Sequence, residues 1–161
     1  MQKFVPLRLA KRFVFQIDAP ASRVFPLLCP VKEYDWIDGW KCSMVYSESG
    51  HAEDKCVFTI DVDNGRREIC TVSLYEPERF LIHYIFLLPD SHVEKLELTV
   101  EDHGGGGSNL RWTRTYTGLS DAGNAFVRRY VDEVLPARMR YLEQAMNQYL
   151  RTGEKLARQL Q

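Results

Sequence analysis

The sequence lacks an excess of charge of either sign. Its 21 lysine and arginine residues are balanced by 22 aspartate and glutamate residues, which leaves a formal net charge of −1. A general nucleic-acid binder normally carries a basic surplus or a basic stripe that neutralises phosphates. We therefore expect no nucleic-acid partner for this chain.

Long hydrophobic runs are also missing. The most apolar stretch, residues 80–88, contains His83 and is far shorter than the roughly 20 residues that a membrane-spanning helix needs. Residues 1–17 carry basic side chains among the apolar ones and have no uninterrupted apolar segment of the kind found in secretory signals. We expect a cytoplasmic protein without integral membrane association.

Cysteine and histidine are few and scattered. No HxxxH or HExxH motif is present, and no Ser/His/Asp or Cys/His arrangement can be proposed from spacing. The sequence therefore predicts no metal, no cofactor and no identifiable catalytic residue, and it leaves Cys29 as either a cavity thiol or an inert buried cysteine. Without a CxxC pair or an export signal, we expect reduced thiols at Cys29, Cys42, Cys56 and Cys70.

The chain does contain enough apolar sequence for one hydrophobic core. Hydrophobic residues make up 45% of the 161 residues and aromatic residues 12%, and this length is typical of a single domain. We interpret residues 1–161 as one domain. Residues 154–161 are polar and follow Gly153, a typical helix stop, so we expect them to form a frayed tail.

Hydrophobic periodicity predicts the secondary structure. Residues 9–17 alternate as a first strand, followed by two short helices, one capped by Asp18 near Pro20 and one over 31–35. From residue 120 the apolar period changes to three and four residues, which predicts a long C-terminal helix with a kink or break at Pro136. Six further strands are predicted at 43–47, 55–63, 67–75, 80–88, 93–101 and 110–117.

Two loops between these strands carry specific signals. Asn64-Gly65 predicts a two-residue hairpin turn, in which Ile60 shares a face with Ile69 and Glu68 points away from the interior. A bulge would turn Glu68 inward, so its direction stays open. The four glycines 104–107 precede a strand rather than a helix, which favours a flexible hairpin loop over a phosphate-binding loop.

The order of the elements constrains the fold. One long helix cannot cover both faces of a sheet of about seven strands, so the sheet must curl and the helix must lie across its concave face. We therefore predict an α+β protein with a curved antiparallel sheet wrapped around the C-terminal helix and two short helices after the first strand. Such an arrangement tends to leave a cavity between the helix and the sheet.

Residues 15–25, Phe-Gln-Ile-Asp-Ala-Pro-Ala-Ser-Arg-Val-Phe, resemble the strand-then-APxxxVF opening of START-like proteins. The tryptophan-bearing segment 34–37 and the terminal helix are also similar to this superfamily (SRPBCC), which includes the birch pollen allergen, StAR-related lipid transfer domains and polyketide cyclases. Residues 29–40 further resemble a bacterial branch of it. The resemblance covers nearly the whole chain, and it implies a helix-grip fold with a ligand cavity.

Aromatic side chains and one arginine are the candidate ligand contacts. Trp36 and Trp40 lie near the expected cavity mouth, where they could hold a flat or hydrophobic ligand or simply plug the space between the short helices and the sheet. Arg114 interrupts an otherwise apolar face. If it points inward, its guanidinium must pair with Glu94 or Glu68 or meet a ligand anion, and the remaining alternative is an outward Arg114. The remaining candidates are Phe58, Tyr84, Phe86, Trp112, Tyr116, Phe126 and Tyr130.

These features support three functions. The leading hypothesis is the binding of a small hydrophobic or amphipathic molecule between the sheet and the helix. The second is an enzyme of the polyketide cyclase/dehydratase type, in which Arg114, Tyr84, Tyr116 or Glu68 would move protons. The third is a protein-interaction role, such as that of a chaperone partner. The sequence leaves the ligand, the reaction and the choice between a monomer and a homodimer open.

Overall fold

Seven antiparallel strands form one sheet with the order β1-β7-β6-β5-β4-β3-β2 in the computed structural model, which describes residues 2–159. The first strand, β1, pairs with the last strand, β7, through ten residue pairs from Arg8–Thr117 to Ile17–Ser108. The other strands follow β7 in reverse order of sequence, so that β1 and β2 are the two edge strands. The strands are β1 (Arg8–Ile17), β2 (Ser43–Tyr46), β3 (Val57–Asp61), β4 (Arg67–Glu76), β5 (Leu81–Leu88), β6 (His92–Asp102) and β7 (Ser108–Gly118).

The helices occupy the two places that the sequence predicts. Two short ones, α1 (Ala21–Val24) and α2 (Glu33–Trp36), separate β1 from β2, with a 3-10 turn at Phe25–Leu28 between them. The C-terminal helix consists of α3 (Asp121–Arg129), a π-helical turn (Tyr130–Val134) and α4 (Leu135–Thr152). The predicted α+β helix-grip fold is confirmed. No helix among residues 2–159 combines the length and apolar character that a membrane span requires.

Inward side chains of the sheet and one stripe of the long helix form a single core. Strand alternation places Phe15 and Ile17 inside while Val14 and Gln16 stay exposed. Of the twelve side chains that periodicity assigns to the core, nine are buried, three (Phe13, Ile60 and Phe86) are half-buried and none is exposed. The nine are Phe15, Val24, Phe58, Ile82, Leu98, Trp112, Val127, Val131 and Leu142.

The predicted interruption of the long helix is present as a π-helical turn. It spans Tyr130–Val134, just before the predicted position at Pro136, and Pro136 lies in the first turn of α4 directly after it. Proline has no amide hydrogen to donate to the carbonyl of Asp132, and a π turn is one way in which a helix accommodates that loss. The irregularity is therefore a change of the helical hydrogen-bond pattern next to Pro136, and the helix continues through it without a break.

The hairpin between β3 and β4 has a different register from the predicted one. Val62 N–H donates to the carbonyl of Arg66, which leaves a three-residue loop in place of the two-residue turn. Asn64 and Gly65 both adopt positive φ, at 56° and 72°, as the dipeptide signal requires. The extra residue moves the pairing by one position, so Ile60 pairs with Glu68 rather than sharing a face with Ile69. Glu68 consequently points inward.

Two predictions at the ends of elements are wrong. Asp18 does not cap α1. Pro20 occupies the N-cap position, and the Ala21 amide instead donates to Asp102 Oδ1 of β6 at 2.7 Å. The tail is also not frayed over its described part, because Leu156 pairs with Ile37 and accepts a hydrogen bond from the Tyr141 hydroxyl at 3.0 Å. Residues 160 and 161 lie outside the described residues.

The first turn of α3 packs directly against the turn between β5 and β6. A Cβ atom at the buried Gly123 would lie 1.8 Å from the carbonyl oxygen of Ser91, far inside van der Waals contact. We expect Gly123→Ala to lower the free energy of unfolding by about 1–3 kcal/mol, the usual cost of overpacking, as measured by chemical denaturation. Gly104→Ala is the matched control, since its new methyl group has open space around it. Equal stability of the two variants would contradict this close approach.

Candidate functional site

A charged pair lies on the inward face of the sheet. Arg114 of β7 and Glu94 of β6 are joined by an Nη1–Oε2 distance of 2.7 Å, with side chains only 12% and 10% exposed. Burial by itself disfavours the charge on Arg114, but the nearby Glu94 carboxylate outweighs it and raises the pKa of the guanidinium further. The predicted inward direction of Arg114 is therefore confirmed, and its partner is Glu94 rather than Glu68.

Three neighbouring side chains on this face carry polar atoms without a partner. Trp112 Nε1, Arg114 Nε and the Tyr116 hydroxyl are all shielded from solvent, and none has a hydrogen-bond partner within residues 2–159. They occupy alternate positions of β7 and so project together. The Arg114 guanidinium also lies 5.0 Å above the Trp112 ring. Buried donors are nearly always satisfied, so a cluster of three unsatisfied ones requires an explanation.

Two further carboxyl groups lie close enough to this pair to be affected by its charge. Burial raises the pKa of Glu33, on α2, to about 8, although the positive charges of Arg138 and Arg114 oppose the rise. Burial and the Glu94 carboxylate raise the pKa of Glu68, on β4, to about 7 against the effect of Arg114. At pH 7 the Glu33 carboxyl is therefore mostly protonated and the Glu68 carboxyl about half protonated, close to the charges of Arg114 and Arg138.

Arg138, on the C-terminal helix, supplies a second positive charge near the Arg114–Glu94 pair. It lies on α4 and makes no ion pair with any residue from 2 to 159, but its guanidinium lies 5.6 Å from the centre of the Tyr141 ring. Burial and the nearby Arg158 lower the pKa of Arg138. The sheet, α2 and α4 thus converge on one polar cluster, which we define as Glu33, Glu68, Glu94, Arg114, Tyr116 and Arg138.

Aromatic rings flank the polar cluster on two sides. On the side of β3 and β5, the Phe58 ring makes edge contacts with Tyr84 at 6.0 Å and Phe86 at 6.4 Å. On the helix side, Phe126 stacks on Tyr130 at 5.5 Å, and Tyr130 contacts Tyr116 at 5.9 Å. The Tyr84 hydroxyl donates to the carbonyl of Leu28 at 2.8 Å and is therefore already engaged.

The two tryptophans near the short helices are held by hydrogen bonds to nearby backbone carbonyls. Trp36 has 0% exposure and its indole N–H donates to the carbonyl of Leu27 at 2.9 Å. Trp40 is half-buried and donates to the carbonyl of Pro30 at 2.8 Å. These contacts favour the interpretation of both rings as plugs between the short helices and the sheet.

Sequence reasoning missed three residues near the candidate site. Arg138 carries a usable signal, because it lies between Leu135 and Leu142 on the apolar stripe of α4, just as Arg114 interrupts an apolar strand face. His92 is buried beside Tyr116 and stacks on Phe126 at 4.8 Å, but it stands at the start of β6 where alternation gives little information. Glu33 offers no periodic signal, because α2 has only four residues.

An apolar groove of about 370 Å³ lies elsewhere on the molecule, between the 3-10 turn after α1 and the ends of β4 and β5. None of the ten aromatic and arginine side chains predicted to contact a ligand lines it. Cys29 does line it, as the cavity-thiol alternative allowed, and its Sγ accepts a hydrogen bond from the Ala52 amide at 3.2 Å. The groove is therefore separate from the polar cluster, none of whose residues lines it.

Comparison with protein families gives one match that spans most of the chain. Residues 12–147 match the family described as polyketide cyclase / dehydrase and lipid transport. No protein of curated function matches the chain by sequence.

Comparison with solved structures gives many matches at low identity. Norcoclaurine synthase from Thalictrum flavum is similar with a TM-score of 0.67 and 10% identity, over 91% of this chain and 88% of that one. The Zhui aromatase/cyclase from Streptomyces sp. R1128 has a TM-score of 0.66 and 13% identity, over 93% and 100%. A protein from Mesorhizobium loti has a TM-score of 0.63 and 18% identity, over 87% and 98%. These likenesses establish a shared fold.

Proposed function

The chain belongs to the polyketide cyclase / dehydrase and lipid transport family, and we propose that it binds a small hydrophobic or amphipathic molecule between the curved sheet and the C-terminal helix. The observation that carries the proposal is the set of three buried, unpartnered donors on β7, at Trp112, Arg114 and Tyr116. A ligand with an acceptor oxygen would satisfy donors that the protein itself leaves free.

The surroundings of these donors indicate which end of the ligand they would meet. The Arg114 guanidinium keeps Nε free while Nη1 is held by Glu94, so the ion pair fixes the direction of the donor without consuming it. A carbonyl, carboxylate or phenol oxygen is the matching group. The flanking aromatic rings of Phe86, Phe126 and Tyr130 are half-buried and offer contacts for an apolar body.

A second candidate function is acid–base catalysis on the bound molecule. The raised pKa values of Glu33, about 8, and Glu68, about 7, favour it, because a carboxyl group with a pKa near the ambient pH can both donate and accept a proton. If the molecule retained by the protein is a reactive carbonyl chain, we propose that these two residues would move its protons. Glu33→Gln and Glu68→Gln would then retain the molecule unconverted, while the wild-type protein releases an altered product.

The experiment that tests binding is native mass spectrometry of the purified protein and of Tyr116→Phe. Removal of one hydrogen bond should reduce occupancy by the bound small molecule by about 2- to 10-fold. The same substitution should change the stability of the unliganded protein little, because the hydroxyl makes no hydrogen bond to any residue from 2 to 159. A merely structural hydroxyl would give the opposite pattern of loss of stability without loss of ligand.

Tyr141→Phe is the matched control for this experiment. Its hydroxyl accepts from the Asp38 amide at 3.0 Å and donates to the Leu156 carbonyl at 3.0 Å. We expect that variant to lose stability and to keep the wild-type occupancy. Unchanged occupancy in Tyr116→Phe, or the absence of any retained small molecule in the wild-type protein, would contradict the proposed function.

A further inference from the structure

The apolar groove near α1 is lined mainly by aromatic and aliphatic side chains. Its floor is made by Phe25, Tyr75, Phe80 and Ile82, with Phe25 stacked on Tyr75 at 6.1 Å and tilted against Phe80 at 5.9 Å. No residue of the long C-terminal helix lines it, so the groove is distinct from the polar cluster. Its volume of about 370 Å³ falls within the range of about 300–1,000 Å³ that small-molecule sites occupy.

The polar side chains of the groove include one cation and no carboxylate. Lys32 is its one permanently charged lining residue, and it makes no ion pair with any residue from 2 to 159. The lining contains no aspartate or glutamate. Tyr75 and Ser22 also line the groove, and neither hydroxyl has a hydrogen-bond partner within the described part of the chain. An apolar floor with a lysine and two hydroxyl groups among its lining side chains complements an alkyl chain that ends in an anionic group.

We infer that this groove binds a single-chain alkyl carboxylate, with the alkyl chain on the aromatic floor and the carboxylate at Lys32 and the free hydroxyls. Burial of the chain supplies most of the affinity, because each methylene removed from water contributes to binding. The Lys32 ammonium selects for the anion, and its contribution is modest because the side chain is exposed. The site is separate from the ligand site of the proposed function and does not depend on it.

Decanoate and decanol are the matched probes, since they share the chain and differ in the charge at its end. With the full-length protein, isothermal titration below the micellar concentration should give a Kd for decanoate about three- to fivefold lower than for decanol. Lys32→Gln should abolish this preference by weakening decanoate alone. Lys41→Gln, an exposed lysine outside the groove, should leave both constants unchanged.

Alkylation of Cys29 reports where the probe binds. Saturating decanoate should slow the reaction of Cys29 with N-ethylmaleimide, read by peptide mass spectrometry, while Cys42, which does not line the groove, reacts at its original rate. Ser22→Trp, at an exposed position on the rim, should weaken both probes by filling the groove. Tyr116→Phe should not affect this protection, which separates the groove from the polar cluster.

Three results would overturn the inference. The first is equal affinity of the wild-type protein for decanoate and decanol. The second is full alkylation of Cys29 in saturating decanoate, which would place the probe elsewhere. The third is an unchanged preference for decanoate in Lys32→Gln, and this outcome remains decisive even if Ser22→Trp fails to fold.

Discussion

Replacement of Arg114 by methionine is expected to lower the free energy of unfolding by about 3–5 kcal/mol, the usual cost of removing one partner from a buried ion pair. The loss of stability comes from Glu94, which remains in the core after Arg114 is replaced. Glu94 is only 10% exposed, and without Arg114 its carboxylate would be a buried charge with no counter-ion. Chemical denaturation monitored by tryptophan fluorescence measures the difference.

A double variant separates the lost charge from the lost packing. Arg114→Met/Glu94→Gln removes both charges, so we expect it to be more stable than Arg114→Met alone. Arg111→Met is the matched control on the same strand, since its ion pair with Glu101 is about half exposed (52% and 59%) and is worth at most about 1 kcal/mol. If Arg114→Met and Arg111→Met lost the same stability, Arg114 could not be part of a buried pair.

This ion pair also changes how Arg114 can be used to study ligand binding. The sequence alone suggests Arg114→Met as a probe of an anionic ligand in a protein that stays folded. The structure shows a carboxylate that depends on Arg114, so weak binding by that variant would mix instability with a lost contact. Tyr116→Phe is the cleaner probe, because its hydroxyl makes no hydrogen bond within the described part of the chain and no buried charge depends on it.

Most of the fold could be predicted because strand alternation and helical periodicity depend on neighbouring residues. Phe15 and Ile17 alternate with exposed residues over a whole strand, and Val131 and Leu142 keep helical spacing, so each assignment has several independent supports. The register of the β3–β4 hairpin was predicted from a single signal, the dipeptide Asn64-Gly65. A single extra loop residue changes the register without altering the local signal, and that change turned Glu68 inward.

The parts of the site that escaped prediction depend on contacts between distant segments. The cap of α1 comes from Asp102, 81 residues later in the chain, where no local pattern could indicate it. The charges of Arg114 and Arg138 affect Glu33 only because the fold brings α2 close to α4 and to the inward face of the sheet. Arg114 could be identified as unusual from its strand, but the choice between a structural partner and a ligand required the position of Glu94.

The stability of the protein is expected to depend on pH through Glu33 and Glu68. Burial raises the pKa of Glu33 from 4.5 to about 8, and burial with the Glu94 charge raises that of Glu68 from 4.5 to about 7. Between pH 4.5 and these values the folded state binds protons that the unfolded state has already lost. Each group therefore makes the free energy of unfolding fall as the pH rises through its window, by up to about 1.4 kcal/mol per pH unit.

Chemical denaturation at pH 5, 6, 7 and 8 tests this, and the comparison between variants isolates the two carboxyls. His83 and His92 have lowered pKa values because they are buried, and they contribute a rise in stability with pH, so the wild-type curve alone is a sum of opposing effects. Glu33→Gln removes the contribution of Glu33, which makes the free energy of unfolding fall as the pH rises. Its stability relative to the wild-type protein should therefore increase steadily from pH 5 to pH 8, and Glu68→Gln should show the same trend ending near pH 7.

Glu53→Gln is the control for this series. Hydrogen bonds from Ser47 and Ser49 lower the pKa of the half-buried Glu53 to about 2, so its carboxylate is ionised in the folded protein throughout pH 5–8. Its stability relative to the wild-type protein should be the same at all four pH values. If Glu33→Gln also differed from the wild-type protein by a constant amount, Glu33 would be ionised in the folded protein across this range. Acid–base catalysis by a protonated Glu33 would then lose its physical basis, whereas ligand binding by the donors of β7 would not be affected.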